Sequence, residues 1–378
     1  MALITVSLFV VSGVIHYQTP MLAAMGAEFG ADAAAVGWVA TLTFGGFLAG
    51  LIFLAPLGDR LDKRKLVLGQ LAVLIPALLA MAAAPSLATL AAASFVVGAS
   101  GTFGQHFIAM SAELARPDER GRTMGTLLTA LFLGVLFGRI TGGLVASYIG
   151  WRWMYAIVAV MMLVLTPALL RRLPSMPAKT QMGYRPLMWS IVRLVGRHAE
   201  LRRVAANQLL LGVSYGGFWA TVAPMLALFH HLGPAQAGLM GIPGAAGIFV
   251  ARACGRWTDR RGVMPVVTTG IGVVLVAFVV LGFASLWIGA AIAGAILLDC
   301  GLRAAIVANQ TLVNTIASDA RSRFNTVFSA SVWGGNAVGA LLASTALAHA
   351  GWLAVCTIAV TASCLALAMQ LSAGPHPR

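Results

Sequence analysis

Asp299, Arg303, Gln310 and Asn314 lie in one long apolar run, and at 3.6 residues per turn they fall within about 60° of one another on a helix. An ionisable side chain deep in a membrane-crossing run costs at least about 2.5–3.5 kcal/mol, so it faces a cavity or a partner. Two roles stay open. The residues line a polar cavity, or Asp299 and Arg303 form an i,i+4 ion pair that fixes the helix. Both hold together if protonation of Asp299 breaks the pair, because proton binding is then coupled to opening.

Arg139 is a second cation inside an apolar run. It attracts anionic or strongly polar cargo if it faces a cavity, or it pairs with a carbonyl or with Asp299. His106 and Glu113 share a helical face with Thr102, and His16 shares one with Ser12 and Thr19. Histidine titrates near neutral pH, so His16 and His106 join Asp299 and Glu113 as proton-carrying candidates, the alternative being a buried imidazole satisfied by one hydrogen bond. Gln208, Tyr215 and Trp219 align on one helix, and Asn325, Ser329 and Asn336 on another. Amide and aromatic groups facing a cavity suit an amphipathic organic substrate, and Trp219 serves equally as packing.

The elements that position these residues follow from composition. The chain has 378 residues, 60% hydrophobic and 10% charged, with a mean hydropathy of +0.90, which excludes a soluble globular protein. A hydrocarbon core needs roughly 20 helical residues per crossing. Twelve runs fit: about 3–26, 34–57, 66–84, 88–115, 123–147, 151–170, 204–229, 235–257, 263–284, 286–317, 324–348 and 351–372. They are numbered spans 1 to 12 below. The first reads as a spanning helix, not a removable signal, since no basic region precedes it.

The net charge of +14 is carried asymmetrically: 22 of the 25 Lys and Arg residues fall in alternate connections and the C-terminus, and the opposite side holds Arg152 alone. The positive-inside rule then puts both termini and the 171–203 linker in the cytoplasm, and the charge signals orientation, not nucleic acid. Tyr184–Arg203 mixes apolar residues with arginine, as either an amphipathic helix on the membrane surface or a solvated linker. Cys254, Cys300, Cys356 and Cys364 show neither metal-ligand spacing nor a disulfide framework.

The halves are related. Pro20-Met21-Leu22-Ala23 matches Pro224-Met225-Leu226-Ala227, Gly150-Trp151 matches Gly351-Trp352, and Arg120-Gly121-Arg122 matches Arg321-Ser322-Arg323. The expected organisation is a six-helix bundle over 1–170, a basic linker over 171–203 and a second bundle over 204–378, an all-α membrane protein of twelve spans in two pseudo-symmetric bundles. Such repeats are a signature of transporters.

Ala55-Pro56-Leu57-Gly58-Asp59-Arg60-Leu61-Asp62-Lys63-Arg64 resembles the loop 2–3 signature of the major facilitator superfamily, with Ala55 and Asp62 in place of two glycines. The second copy keeps both, as Gly255 and Gly262 beside Asp259 and Arg260. Gly134, Gly138, Gly142 and Gly143 resemble the helix 5 signature of its twelve-helix drug:proton antiporter branch, with Arg139 replacing a proline, and Ser94 stands where helix 4 normally carries an arginine. Glycines spaced by four also form a ridge that admits a close helix neighbour. Leu298-Asp299-Cys300-Gly301 with Asn309-Gln310 and Arg321 to Thr326 resembles a bacterial exporter subgroup.

The resemblance implies a cytoplasmic gate at Asp59, Arg60 and Arg64, and at Asp259 and Arg260. It implies proton-coupled export of a small organic molecule across a bacterial inner membrane by alternating access, in a monomer driven by the proton gradient without a cofactor. An uptake carrier for an anionic metabolite and a transport-dead sensor are the alternatives. No HExxH motif supports an embedded enzyme.

Overall fold

The computed structural model describes residues 1–116, 118–177, 183–316 and 321–372, without the side chains of residues 316, 321 and 322. Part of the basic connection at 318–323 and the last residues of the chain therefore lie outside the described residues. The helices in chain order are α1 (Ala2–Val14), α2 (Gln18–Phe29), α3 (Ala33–Ala49), α4 (Lys63–Ala82), α5 (Leu87–Gly101), α6 (Phe103–Leu114), α7 (Arg120–Tyr148) and α8 (Trp151–Arg172). They continue as α9 (Tyr184–Arg197), α10 (Ala199–His230), α11 (Pro234–Leu239), α12 (Gly247–Arg261), α13 (Val263–Leu281), α14 (Ile288–Ile316), α15 (Arg321–Ala350) and α16 (Trp352–Ser372). Hydrocarbon offers the backbone no partners, so these apolar runs satisfy their N–H and C=O groups internally as helices. Among the described residues, eleven helical segments are long and apolar enough to cross a membrane, and the bent pair α1 and α2 completes twelve.

Four spans expected to be continuous are interrupted. Span 1 bends by 41° between α1 and α2. Span 2 passes through a π-helical stretch at Gly50–Leu54 and a 3₁₀ stretch at Ala55–Asp59, which ends in the loop signature. Span 4 divides at Thr102 into α5 and α6. Span 8 is α11, a short 3₁₀ turn at Pro243–Ala245, and then α12. Pro243, without an N–H, and Gly241 and Gly244 explain the last break. Span 7 starts earlier than expected, at Ala199.

The chain forms two compact units. Unit 1 comprises residues 1–31, 38–188 and 233–238, and unit 2 comprises 32–37, 189–232 and 239–378. In unit 1 the span 5 glycines meet span 1 backbone: a Cβ on Gly134 would strike Phe9 O, one on Gly138 would lie 2.8 Å from Gly13 Cα, and one on Gly142 2.8 Å from Tyr17 O. Gly143 faces Pro234 and Gly238 in the same way. In unit 2 Gly212 and Gly216 of α10 lie against Gly335 and Asn336 of α15. Small residues let backbones approach, and dispersion contacts along such seams hold helices together where lipid removes the hydrophobic drive.

The repeated Gly-Trp pairs open α8 and α16. Gly150 (φ +97°) and Gly351 (φ +77°) adopt a backbone that other residues resist, and each following indole donates inward: Trp151 Nε1 to Glu28 Oε2 at 2.6 Å, Trp352 Nε1 to Leu281 O at 2.6 Å. In α9, Leu194 and Val195 pack on a unit 2 cluster that includes Leu201, Val204 and Phe324. Trp189 and Val192 of the same helix stay exposed.

Candidate functional site

Asp299 is 1% exposed on α14. Its Oδ2 accepts the Gly247 N–H at 3.0 Å, and Arg303 Nε stands 3.7 Å from the same oxygen, so the i,i+4 pair forms. Gly247 is the first residue of α12 after the break in span 8, where unpaired N–H groups and the helix dipole favour a negative charge. The approach needs glycine: a Cβ on residue 247 would lie 2.5 Å from both Asp299 Oδ2 and Arg303 Cγ. One carboxylate thus ties the start of a broken helix to a cation one turn along α14.

Around this centre, Tyr215 is in electrostatic reach of Arg303, and its ring lies 6.1 Å from that of Trp219. Gln208 is fully buried, with Nε2 3.5 Å from Ala305 O. The face expected on span 10 does not stay in one environment. Asp299 is buried, Arg303 half-buried and Gln310 exposed, while Asn314 Oδ1 accepts from Asn325 Nδ2 at 2.9 Å. Asn309, which the face argument passed over, is the buried amide. Asn336 is buried against α10, and with its amide turned to donate it reaches Gly212 O at 3.1 Å and Val332 O at 3.3 Å.

In unit 1, Arg139 is 3% exposed on α7. His16 sits in the bend of span 1 with Nδ1 3.1 Å from Ser12 O, and Thr19 Oγ1 donates to His16 O at 2.9 Å, so these side chains occupy carbonyls that the bend frees. His106 is buried on α6, and a Cβ on Gly58 would lie 2.8 Å from its Nδ1. Gln70 Nε2 donates to Thr102 Oγ1 at 2.9 Å.

Glu113 has a specific partner. Lys63 Nζ, 3% exposed, stands 3.3 Å from Glu113 Oε1. The sequence singled out Arg60 and Arg64 among the loop cations, but the one that enters the protein is Lys63. Arg64 turns the other way and donates to Leu170 O. Asp259 and Arg260 are exposed, and Asp59 and Arg60 are half-buried.

Asp62 explains a departure from the repeat. The second copy has Gly262 at φ +83°, whereas Asp62 caps α4 at φ −58°. Its Oδ1 accepts from Arg64 N at 2.9 Å and Met176 N at 3.1 Å, and its Oδ2 accepts from the Ser175 hydroxyl. Lys63 N also donates to Met176 O at 3.3 Å, so the start of the linker docks on this turn. Burial pushes the Asp62 carboxyl up, but these hydrogen bonds and the Lys65 charge outweigh it and hold it below the ordinary carboxylate value.

A knot at the other end of unit 1 was also missed. Arg152 Nε and Nη2 donate to Glu28 Oε1 at 3.0 and 2.7 Å, and Nη1 donates to Ala82 O at 3.1 Å and Ala84 O at 2.8 Å. Its guanidinium lies 4.4 Å from the centroid of the Trp151 ring. Spans 1, 3 and 6 meet there. Arg152 stood out in the sequence as the lone cation on its side, which was the available signal. No cluster of metal-ligating side chains occurs among the described residues.

The sequence profile of the Major Facilitator Superfamily matches residues 4–320. A protein of Escherichia coli O157:H7 named "Uncharacterized transporter YgaY" is 31% identical over 348 residues, 92% of this chain and 88% of its own. The "Probable transporter SCO4007" of Streptomyces coelicolor is 32% identical over 355 residues, 91% of this chain and 80% of its own. The crystal structure of a point mutant of the nucleoside transporter NupG superposes with a TM-score of 0.80 at 13% identity, covering 98% of this chain and 97% of that one, a likeness of fold. These relatives and this neighbour are transporters, not enzymes.

Proposed function

The chain belongs to the Major Facilitator Superfamily of transporters, and from that membership we propose that it exports a small organic molecule in exchange for protons. The observation that carries the reading is Asp299, a carboxylate buried in a span yet engaged by a helix terminus and an arginine. A charge at that depth is retained against its insertion cost when it does work.

When ionised, Asp299 neutralises Arg303 and holds the start of α12. Protonation removes most of its attraction for both, which dismantles the arrangement of Arg303 and α12 that holds the cargo and frees the interrupted span 8 to reorient with the proton bound. Proton release restores the pair and with it the cargo site, so proton and cargo occupy the protein in turn and cross in opposite directions. One charge crossing 100 mV supplies about 2.3 kcal/mol, enough to move a binding constant by more than tenfold. His16, His106 and Glu113 are secondary proton carriers in this scheme. The protein works as a monomer in a bacterial inner membrane, with the arginine-rich connections and both termini in the cytoplasm.

A second reading, proton-linked uptake of an anionic metabolite, draws on Arg139, a further buried cation. Flux in proteoliposomes, with anionic, neutral and cationic compounds under pH gradients of either sign, separates the two. Export by exchange requires cargo and protons to move in opposite directions, and uptake requires the same direction. A lack of gradient-dependent flux across the panel contradicts both.

A further inference from the structure

A groove of about 590 Å³ lies on the surface of unit 1 between α4, α5 and the distorted end of span 2. Leu54, Val73, Phe95 and Val96 form its apolar wall, and Arg60 and Lys65 stand at its mouth. Val73, Phe95 and Val96 are exposed on helices that cross the membrane, so they meet hydrocarbon. Lys65 and Val73 are eight residues apart on α4, about 12 Å along the axis, which sets a charged end and an apolar body at headgroup-to-chain separation.

The charge at the mouth is available. Neither the Arg60 nor the Lys65 side chain makes a hydrogen bond or ion pair among the described residues. The third charged group there, Asp62, already accepts from Arg64 N, Met176 N and the Ser175 hydroxyl, and Lys65 is within its field. Two cations thus face one committed carboxylate.

We infer that this groove is a binding site for an anionic glycerophospholipid of the leaflet on the arginine-rich side, with its phosphate between Arg60 and Lys65 and an acyl chain along Val73, Phe95 and Val96. A zwitterionic lipid fits the wall but brings its own cation to a net positive mouth. Free phosphate satisfies the cations and leaves the wall uncovered. The inference needs only that the chain spans a membrane, not the transport scheme above.

Gly69 lines the groove, and a Cβ built on it has nothing within 4 Å. A large side chain there grows into the groove without striking the protein. Gly272 of α13 is equally open and lies in unit 2, which makes it a control.

The test uses delipidated full-length protein in detergent, titrated with dioleoyl phosphatidylglycerol, dioleoyl phosphatidylcholine or inorganic phosphate, with the rise in Tm and retained lipid by native mass spectrometry as readouts. Wild type and Gly272→Phe are expected to prefer phosphatidylglycerol. Lys65→Gln should bind it about fivefold more weakly, as one lost cation near an anionic headgroup implies. Gly69→Phe should lose the preference. Equal responses to the two lipids in the wild type, a full response to phosphate alone, or an unchanged preference in either groove variant would overturn the site. If Gly69→Phe does not fold, Lys65→Gln, at an exposed position, decides the matter alone.

Discussion

Gly247 N–H donates to Asp299 Oδ2 at 3.0 Å, so the N-terminus of an interrupted membrane helix is capped by a buried carboxylate from a neighbouring span. The cap is possible because residue 247 has no side chain. Gly247→Ala must displace Asp299 or Arg303, and overpacking of this kind costs about 1–3 kcal/mol. The expected outcome is a lower Tm and a shifted pH profile of transport. A profile and Tm equal to wild type would mean that the contact is slack.

The Lys63–Glu113 pair predicts an asymmetric double-mutant cycle. Removing one partner of a buried pair typically costs about 3–5 kcal/mol. Lys63 is 3% and Glu113 24% exposed, so Glu113→Met, which strands the buried ammonium, should cost more than Lys63→Met, which leaves a carboxylate that water can reach. Lys63→Met with Glu113→Met should recover most of the loss, because no unpaired charge remains. Thermal unfolding of the four proteins in the same detergent checks the cycle, and additive losses would contradict the pairing.

For the Arg152 knot, the ion pair is the smaller part. Its partners are 32% and 44% exposed, and pairs of that kind contribute about 0–1 kcal/mol. The bonds to Ala82 O and Ala84 O at the end of α4 add to it. Arg152→Ala should therefore lower Tm clearly more than Glu28→Gln, and equal effects would assign the stability to the ion pair alone.

Docking of the linker on Asp62 is pH-dependent, with a definite sign. A carboxyl held below its ordinary value stabilises the folded contact above the ordinary carboxylate pKa, and that stabilisation is lost as pH falls through the lowered value. Hydrogen exchange at residues 173–177 should rise at the acid end of that window and match Asp62→Ala there. Protection that is independent of both pH and the substitution would remove Asp62 as the clamp.

Much of this was legible in the sequence for identifiable reasons. Apolar run length sets the spans, the Gly-Trp repeat marks two helix starts, and Asp299 with Arg303 stood out as ionisable residues one turn apart. The breaks were less legible because hydropathy averages over them, although Gly241, Pro243 and Gly244 signal the one in span 8. Lys63 was hidden for a geometric reason. Consecutive helical residues point about 100° apart, so Lys63, Arg64 and Lys65 take three directions, and only the packing of α4 on α6 decides which one is buried. The linker clamp at Asp62 joins residues more than a hundred positions apart, beyond any local pattern.

The central claim is that Asp299 couples protons to cargo, and its most direct test compares two modes of flux in Asp299→Asn proteoliposomes. Asparagine keeps the size and loses the charge. Once a transported compound is found, the variant should lose accumulation driven by a pH gradient, and whatever flux it keeps at equal pH should no longer change with pH. Gradient-driven accumulation at the wild-type level would contradict the account and move the coupling to another residue.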